Sequence, residues 1–184
     1  SSRFLAQCMT ESMPCTKEQR ILEIGCGTGV VTKAILNKLR DGDEFHIVEL
    51  NSSFCKNIKS RIITPFQKSN SNIKVKLHNR SIQDSSISIK FDAIICGLPF
   101  NNFALEVVDE IFNIMLGLLK DDGELVYFEY LGARALKTLI GTPSLRTRTR
   151  QRTRDINRRI LEHDGKLETV WWNIPACRVI RLRV

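Results

Sequence analysis

The sequence predicts a doubly wound α/β domain, a mostly parallel sheet with helices on both faces, and three observations carry that expectation. Short apolar runs of strand length alternate along the chain with longer stretches at helical spacing. The first of these strands breaks into three alternating glycines and restarts as a helix. An acid stands at the C-terminal end of the strand after it. At 184 residues, 42% hydrophobic and 26% charged, a single domain over residues 1–184 with a full core is the simplest organisation.

Taken in order, Phe4-Leu5-Ala6-Gln7-Cys8-Met9 is predicted to form a helix packed on the ligand side of the sheet, and Met13-Pro14-Cys15 leads to the first strand. Ile21, Leu22 and Ile24 suit a strand covered on both faces. Gly25, Gly27 and Gly29 then permit a close approach that side chains would block, so a ligand is expected to lie against this backbone. Thr28 is the expected cap of the next helix, whose Val30, Val31, Ala34, Ile35 and Leu39 fall near helical spacing. Phe45 to Leu50 reads as the second strand, and Asn51, Ser52 and Ser53 cap a helix running to about Ile63 that ends before Pro65. Ile73, Val75 and Leu77 alternate with Lys74 and Lys76, a third strand with one more polar face. Phe91 to Cys96 is a fourth buried strand. A densely apolar helix from Leu105 to Leu119 is ended by Asp121-Asp122-Gly123, and Glu124 to Tyr130 is a fifth strand. Leu131-Gly132-Ala133 opens another helix. The chain closes with Glu168 to Ile174, a turn at Pro175-Ala176, and Cys177 to Val184, an antiparallel hairpin.

The glycine turn separates the chain from dinucleotide enzymes, whose fingerprint has Gly or Ala where Val30 stands and asks for no acid at Glu23. An acid just before Gly-x-Gly-x-Gly resembles motif I of class I S-adenosylmethionine (SAM) methyltransferases. The resemblance implies a Rossmann-like fold, a mostly parallel seven-stranded sheet with a C-terminal antiparallel hairpin, and SAM as cofactor. SAM carries an amino-acid head and no pyrophosphate. The Glu23 carboxylate is therefore expected to bind the head's ammonium, directly or through water, with the backbone of Gly25, Cys26, Gly27, Thr28 and Gly29 packed beside the ligand. Glu49, about twenty residues past the glycines, is placed to accept hydrogen bonds from the two ribose hydroxyls, with Leu50 beside it. In such enzymes a segment like Asn79 to Asp84 commonly reads adenine; Ser81 and Ile82 are the candidates, and Asp84 the alternative. The strand ends that flank the topological switch line the ligand crevice, so the loop Gly97-Leu98-Pro99-Phe100-Asn101-Asn102-Phe103 should face the methyl group.

With those residues placed, Ser1-Ser2-Arg3-Phe4-Leu5-Ala6, the motif I run, Gly97-Leu98-Pro99-Phe100, Phe128-Glu129-Tyr130 and Asn173-Ile174-Pro175-Ala176 together resemble the bacterial phospholipid N-methyltransferase family over nearly the whole chain. The chain departs from it in having one proline where relatives often have two, and Glu129 in place of a smaller residue. The resemblance implies methylation of the amine of phosphatidylethanolamine and its methylated derivatives, by a cytoplasmic protein peripheral to the inner membrane face. It also implies an amphipathic N-terminal docking helix, which would precede Ser1. Loop 97–103 is expected to hold the amine through backbone carbonyls near Leu98 and Pro99, with Phe100 or Phe103 shielding the cation, while Tyr130 accepts or relays the proton. The same loop also looks like the Asn-Leu-Pro-Tyr loop of ribosomal RNA adenine dimethyltransferases, with Gly97 at the Asn position and Phe100 at the Tyr position. Another small amine, a protein substrate and a non-enzymatic SAM-binding scaffold are the remaining readings.

The net charge of +8 is concentrated between Thr142 and Arg159, where Arg146, Arg148, Arg150, Arg152, Arg154, Arg158 and Arg159 face one acid, Asp155. An anionic partner is expected, either the phosphates of RNA or an anionic membrane surface, with a merely solvated basic face as the bland alternative. The longest apolar stretches are interrupted by charges well short of a membrane span. The six cysteines form no C-x-x-C pair and read as reduced thiols, with no metal expected. The chain begins without methionine and reads as a trimmed piece.

Overall fold

A computed structural model of the chain describes residues 2–13, 18–131, 158, 165–173 and 175–184. Seven strands form one sheet in the order β3-β2-β1-β4-β5-β7-β6. They are β1 (Arg20–Ile24), β2 (Glu44–Val48), β3 (Lys74–His78), β4 (Phe91–Cys96), β5 (Leu119–Tyr130), β6 (Lys166–Val170) and β7 (Cys177–Arg183). The first five run parallel, and β7 lies antiparallel between β5 and the edge strand β6. The chain steps outward from β1 to β2 and β3 and then returns to β4 on the other side of β1. That reversal leaves a crevice at the C-terminal ends of β1 and β4.

Alternation along the strands assigns each side chain to one of two cores. Ile21, Phe45, Ile47, Ala93, Ile95, Val126 and Phe128 face helices α1 (Arg3–Thr10) and α2 (Val30–Leu36), and the helical segment that begins with α3 (Ser52–Ile58). Leu22, Ile24, Val48, Ile94, Cys96, Leu125 and Tyr127 face the other way, onto Ile111, Phe112 and Met115 of α5 (Leu105–Gly117). The polar face expected of the third strand is met at Glu44, whose carboxylate accepts from Lys76 at 2.6 Å and lies 3.1 Å from the His46 ring; these partners hold its pKa down at about 2.

Three boundaries differ from the sequence expectation. The helix expected to end before Pro65 continues through it as a π-helical turn, Lys59–Ile63, and then α4 (Thr64–Ser69). The wider turn, in which the Thr64 amide reaches back to the Lys59 carbonyl, delivers Pro65 into the first turn of α4, where its missing N–H is no loss. Asp121-Asp122-Gly123 does not precede the fifth strand but bulges within it: Phe91 pairs with Leu119 and Ala93 with Glu124, and Asp122 takes φ +63°. The bulge keeps its backbone bonded, because the Asp122 amide donates to Val184 and the Val184 amide to Gly123. β6 ends at Val170 instead of Ile174, so Trp171 and Trp172 fall in the turn. The helix expected from Leu131 onward, and six of the seven arginines, lie outside the described residues.

Arg181 of β7 ties the edge pair to α1. Its guanidinium donates to the Cys8 carbonyl at 2.7 Å and to Glu168 of β6 at 2.9 Å, with Glu11 at 3.7 Å. Arg181→Met should keep the packing of the stem but leave the Cys8 carbonyl without this donor, lowering stability by about 1–3 kcal/mol in urea unfolding; an unchanged midpoint would show that α1 is held by apolar contacts alone.

Candidate active site

The glycine turn is held from below by its neighbours in the sheet. The Gly25 amide donates to Val48 at 2.8 Å and the Gly97 amide to Ile24 at 2.7 Å, so the exits of β1, β2 and β4 are bonded together before they diverge. The approach of the fourth strand's exit to the first leaves no room for a side chain, since a Cβ on Gly97 would stand 2.6 Å from the Gly25 carbonyl oxygen. Glu49, just past β2, grips the turn from the side: Oε2 accepts from the Gly27 amide at 3.0 Å and Oε1 from the Asn51 amide at 2.8 Å. Thr28 does not cap α2. Gly29 occupies the cap position without a side-chain bond, and Thr28 is turned to the crevice.

The crevice is lined by Gly25, Cys26, Gly27, Thr28, Gly97, Pro99 and Tyr130, all expected from the sequence. Val30, Val31, Phe54 and Phe128 also line it, and sequence reasoning did not assign them to the site. Gly27 is the cradle: at φ +51°, a Cβ placed on it would meet nothing within 4 Å. Tyr130 and Phe128 cross edge to face with centroids 5.1 Å apart, and burial pushes the Tyr130 phenol above its ordinary pKa, so at neutral pH it is an uncharged O–H. Burial likewise pushes up the Cys26 thiol, with the charges of Glu23 and Glu49 adding to the shift.

Glu23 lies beneath the turn. It shares its sheet face with Ile21, which points it at α2, where Oε2 accepts from the Thr32 hydroxyl at 2.7 Å. Its other oxygen, Oε1, is buried with no partner among the described residues. Burial raises the pKa from the ordinary 4.5 to about 8, against the Thr32 hydrogen bond and with the Glu49 charge adding to the rise. An orphaned buried carboxylate oxygen and a glycine with open space above it are what an ammonium-bearing ligand, or its bridging water, would complete.

The other expected site residues are placed around this centre. Leu98 packs against Gly25, Leu50 is exposed, and Ile82 is buried in the α5-side core. The Ser81 hydroxyl is engaged with Asp84, donating to its carboxylate at 2.6 Å. Phe100 is buried among Phe103, Phe112 and Tyr127, 5.0 to 6.4 Å between centroids, where it anchors the loop in the core.

A family model described as a methyltransferase domain matches residues 22–125. No curated protein matches the sequence. Among solved structures, the O-methyltransferase TomG from Streptomyces achromogenes superposes with a TM-score of 0.68 at 15% identity, over 99% of this chain and 79% of that one. The N-methyltransferase NodS from Bradyrhizobium japonicum does so with 0.59 at 17%, over 100% and 97%. The CurJ carbon methyltransferase gives 0.61 at 15%, over 98% and 53%. At these identities the likeness is one of fold, and it is shared by proteins named for methylation at oxygen, nitrogen and carbon.

Two predictions follow from the turn. Alanine at Gly27 must adopt the left-handed region at a cost of about 1–2 kcal/mol, and it puts a methyl group into the cradle. Calorimetry on Gly27→Ala should therefore show SAM affinity lowered at least about 10-fold in a protein that still melts cooperatively. Gly97→Ala should instead lower the melting temperature, because the Gly25 carbonyl must move; unchanged SAM affinity in the first variant would place the cofactor elsewhere. For Glu23, a carboxyl whose folded pKa is raised holds its proton more tightly in the fold than in the unfolded chain. Its contribution to stability is full below pH 4.5 and is lost as pH climbs toward 8. Glu23→Gln removes that loss, so melts of the ligand-free proteins from about pH 5 to about pH 8.5 should show the variant gaining steadily on the parent. A constant difference would mean that Glu23 is ionised throughout.

Proposed function

The chain belongs to the methyltransferase-domain family, and from that premise we propose that it is a SAM-dependent N-methyltransferase acting on the amine of phosphatidylethanolamine and its methylated derivatives at a membrane surface. The observation that carries the choice of a nitrogen acceptor is the lining of the crevice. Among the described residues lining it there is no carboxylate, imidazole or ammonium, and its titratable groups are the Tyr130 phenol and the Cys26 thiol, both shifted toward their neutral forms. A hydroxyl acceptor needs a base to become nucleophilic; a neutral amine already has its lone pair.

Bound in the crevice, SAM supplies a methyl group activated by its sulfonium, which an amine can take without further activation. The Gly27 backbone, braced by Glu49, would receive the cofactor's body, and Glu23, enclosed beneath the turn, would bind its ammonium directly or through a bridging water. Pro99 and buried Phe128 limit water on the reacting side, which favours the uncharged amine over its ammonium form. The Tyr130 Oη, as a neutral hydroxyl, accepts a hydrogen bond from the amine and passes its proton toward solvent. Carbonyls of the 97–103 loop orient the amine. The lipid identity is supported by the resemblance of this loop and of the last hairpin to phospholipid N-methyltransferases, and by the arginine-rich run. The adenine reading needs a side-chain acceptor where Gly97 stands, and even a Cβ there runs into the Gly25 carbonyl.

Incubating the protein with labelled SAM, vesicles of phosphatidylethanolamine and an anionic lipid, and total RNA in one vessel should place the label in the lipid fraction. Label confined to RNA would establish the adenine reading, and label in neither would point to a small amine or a protein.

A further inference from the structure

The hairpin turn between β6 and β7 carries Trp171, 73% exposed, and Trp172, 82% exposed. They are the two tryptophans of the chain, and consecutive exposed indoles are costly to leave in water. The turn beneath them is built to hold them outward. Val170 before them and Asn173 after them are both buried. The Asn173 side chain donates to the Pro175 carbonyl at 2.7 Å and accepts from the Ser2 amide at 3.1 Å, which fastens the turn to the start of α1. The Leu131 amide donates to Ala176 at 2.9 Å, which fastens it to the exit of β5. In register, Val170 pairs with Cys177 and Cys177 with Tyr130, so the indoles rise about two strand spacings, roughly 10 Å, from the crevice wall.

We infer that Trp171 and Trp172 form an insertion tip that seats the mouth of the crevice on the interfacial zone of an anionic phospholipid bilayer. The indole has an apolar body and one N–H donor, which suits the depth where acyl chains meet headgroups. Charge complementarity calls for an anionic partner, and the two exposed indoles favour a bilayer as that partner. Just beyond Ser2, which the turn holds through Asn173, exposed Phe4 carries the Arg3 guanidinium 5.2 Å from its ring centroid, and the chain as a whole bears a net charge of +8. Cations beside interfacial aromatics bind anionic headgroups while the rings enter the layer beneath. The inference rests on the lipid-amine reading for its purpose, since a tip at the rim would bring the headgroup amine to Tyr130 without drawing the lipid out of the membrane.

Because both tryptophans stand on the tip, intrinsic emission reports on it alone. Titrating the full chain with vesicles of phosphatidylethanolamine and phosphatidylglycerol should shift the emission to the blue, and lipids brominated high on the acyl chains should quench it. The double variant Trp171→Ala, Trp172→Ala should melt like the parent and keep its SAM affinity, while its vesicle partitioning in co-sedimentation falls about 10-fold or more. Unshifted emission on vesicles that carry the protein down, undiminished partitioning of the double variant, or a shift produced by RNA and not by vesicles would each overturn the inference. Emission shifted by vesicles without label in lipid would uphold the tip and remove the lipid substrate; label in lipid with unshifted emission would do the reverse.

Discussion

The carboxylate of Glu49 accepts from the Gly27 amide at 3.0 Å and from the Asn51 amide at 2.8 Å, and much of the crevice depends on that pair of bonds. One oxygen holds the glycine turn in the shape that leaves open space above it. The other holds the start of α3, from which Phe54 reaches the same crevice. The Asn79 side chain completes the joint from the end of β3 by donating to the Glu49 carbonyl at 3.0 Å. A residue expected to meet a ligand is thus also the splint of the ligand's bed. The Cys26 thiol also donates to the oxygen that holds Gly27, at 3.7 Å, so the brace reaches both the backbone and a side chain of the turn.

Glu23 is used differently. It is enclosed, given one hydrogen bond by Thr32 and left with one oxygen without a partner among the described residues. Burial without a full set of partners favours the protonated acid, and a cationic ligand nearby would favour the carboxylate. The protein therefore keeps at Glu23 a carboxyl with one oxygen that has no hydrogen-bond partner among the described residues. The two acids thus sit differently around one turn, Glu49 bracing its backbone and Glu23 enclosed beneath it.

The crevice has a second wall, built by Pro99, Phe128 and Tyr130. The fold is shared with proteins named for methylation at oxygen, nitrogen and carbon. Phe100 contributes by anchoring that wall: packed on Phe112 and Tyr127, it fixes the loop to the α5 side and lets Pro99 face the crevice. The same rim continues through Ala176 and Asn173 to the tryptophan turn, so the crevice wall and the exposed indoles share one edge of the sheet.

What the sequence by itself determined is what local pattern governs. The parallel strands follow from apolar runs of strand length, the crevice turn from glycines after an acid, and the antiparallel hairpin from two short apolar strands around a proline turn. Seven of the crevice-lining residues were legible because they lie in that turn or in the loop and strand ends that a doubly wound sheet must bring to it. Only the tertiary structure decided the rest. Val30, Val31, Phe54 and Phe128 read in sequence as core residues, and only the packing of α2, α3 and β5 around one gap makes them walls. Thr32 reads as an ordinary helix residue until the sheet's alternation aims Glu23 at it. The helix through Pro65 depends on a widened turn without a sequence signature, and the outward tryptophans depend on where β6 stops. That point is set by pairing with β7 and by the grip of Asn173 on Ser2, a contact between residues 171 positions apart that no local pattern encodes.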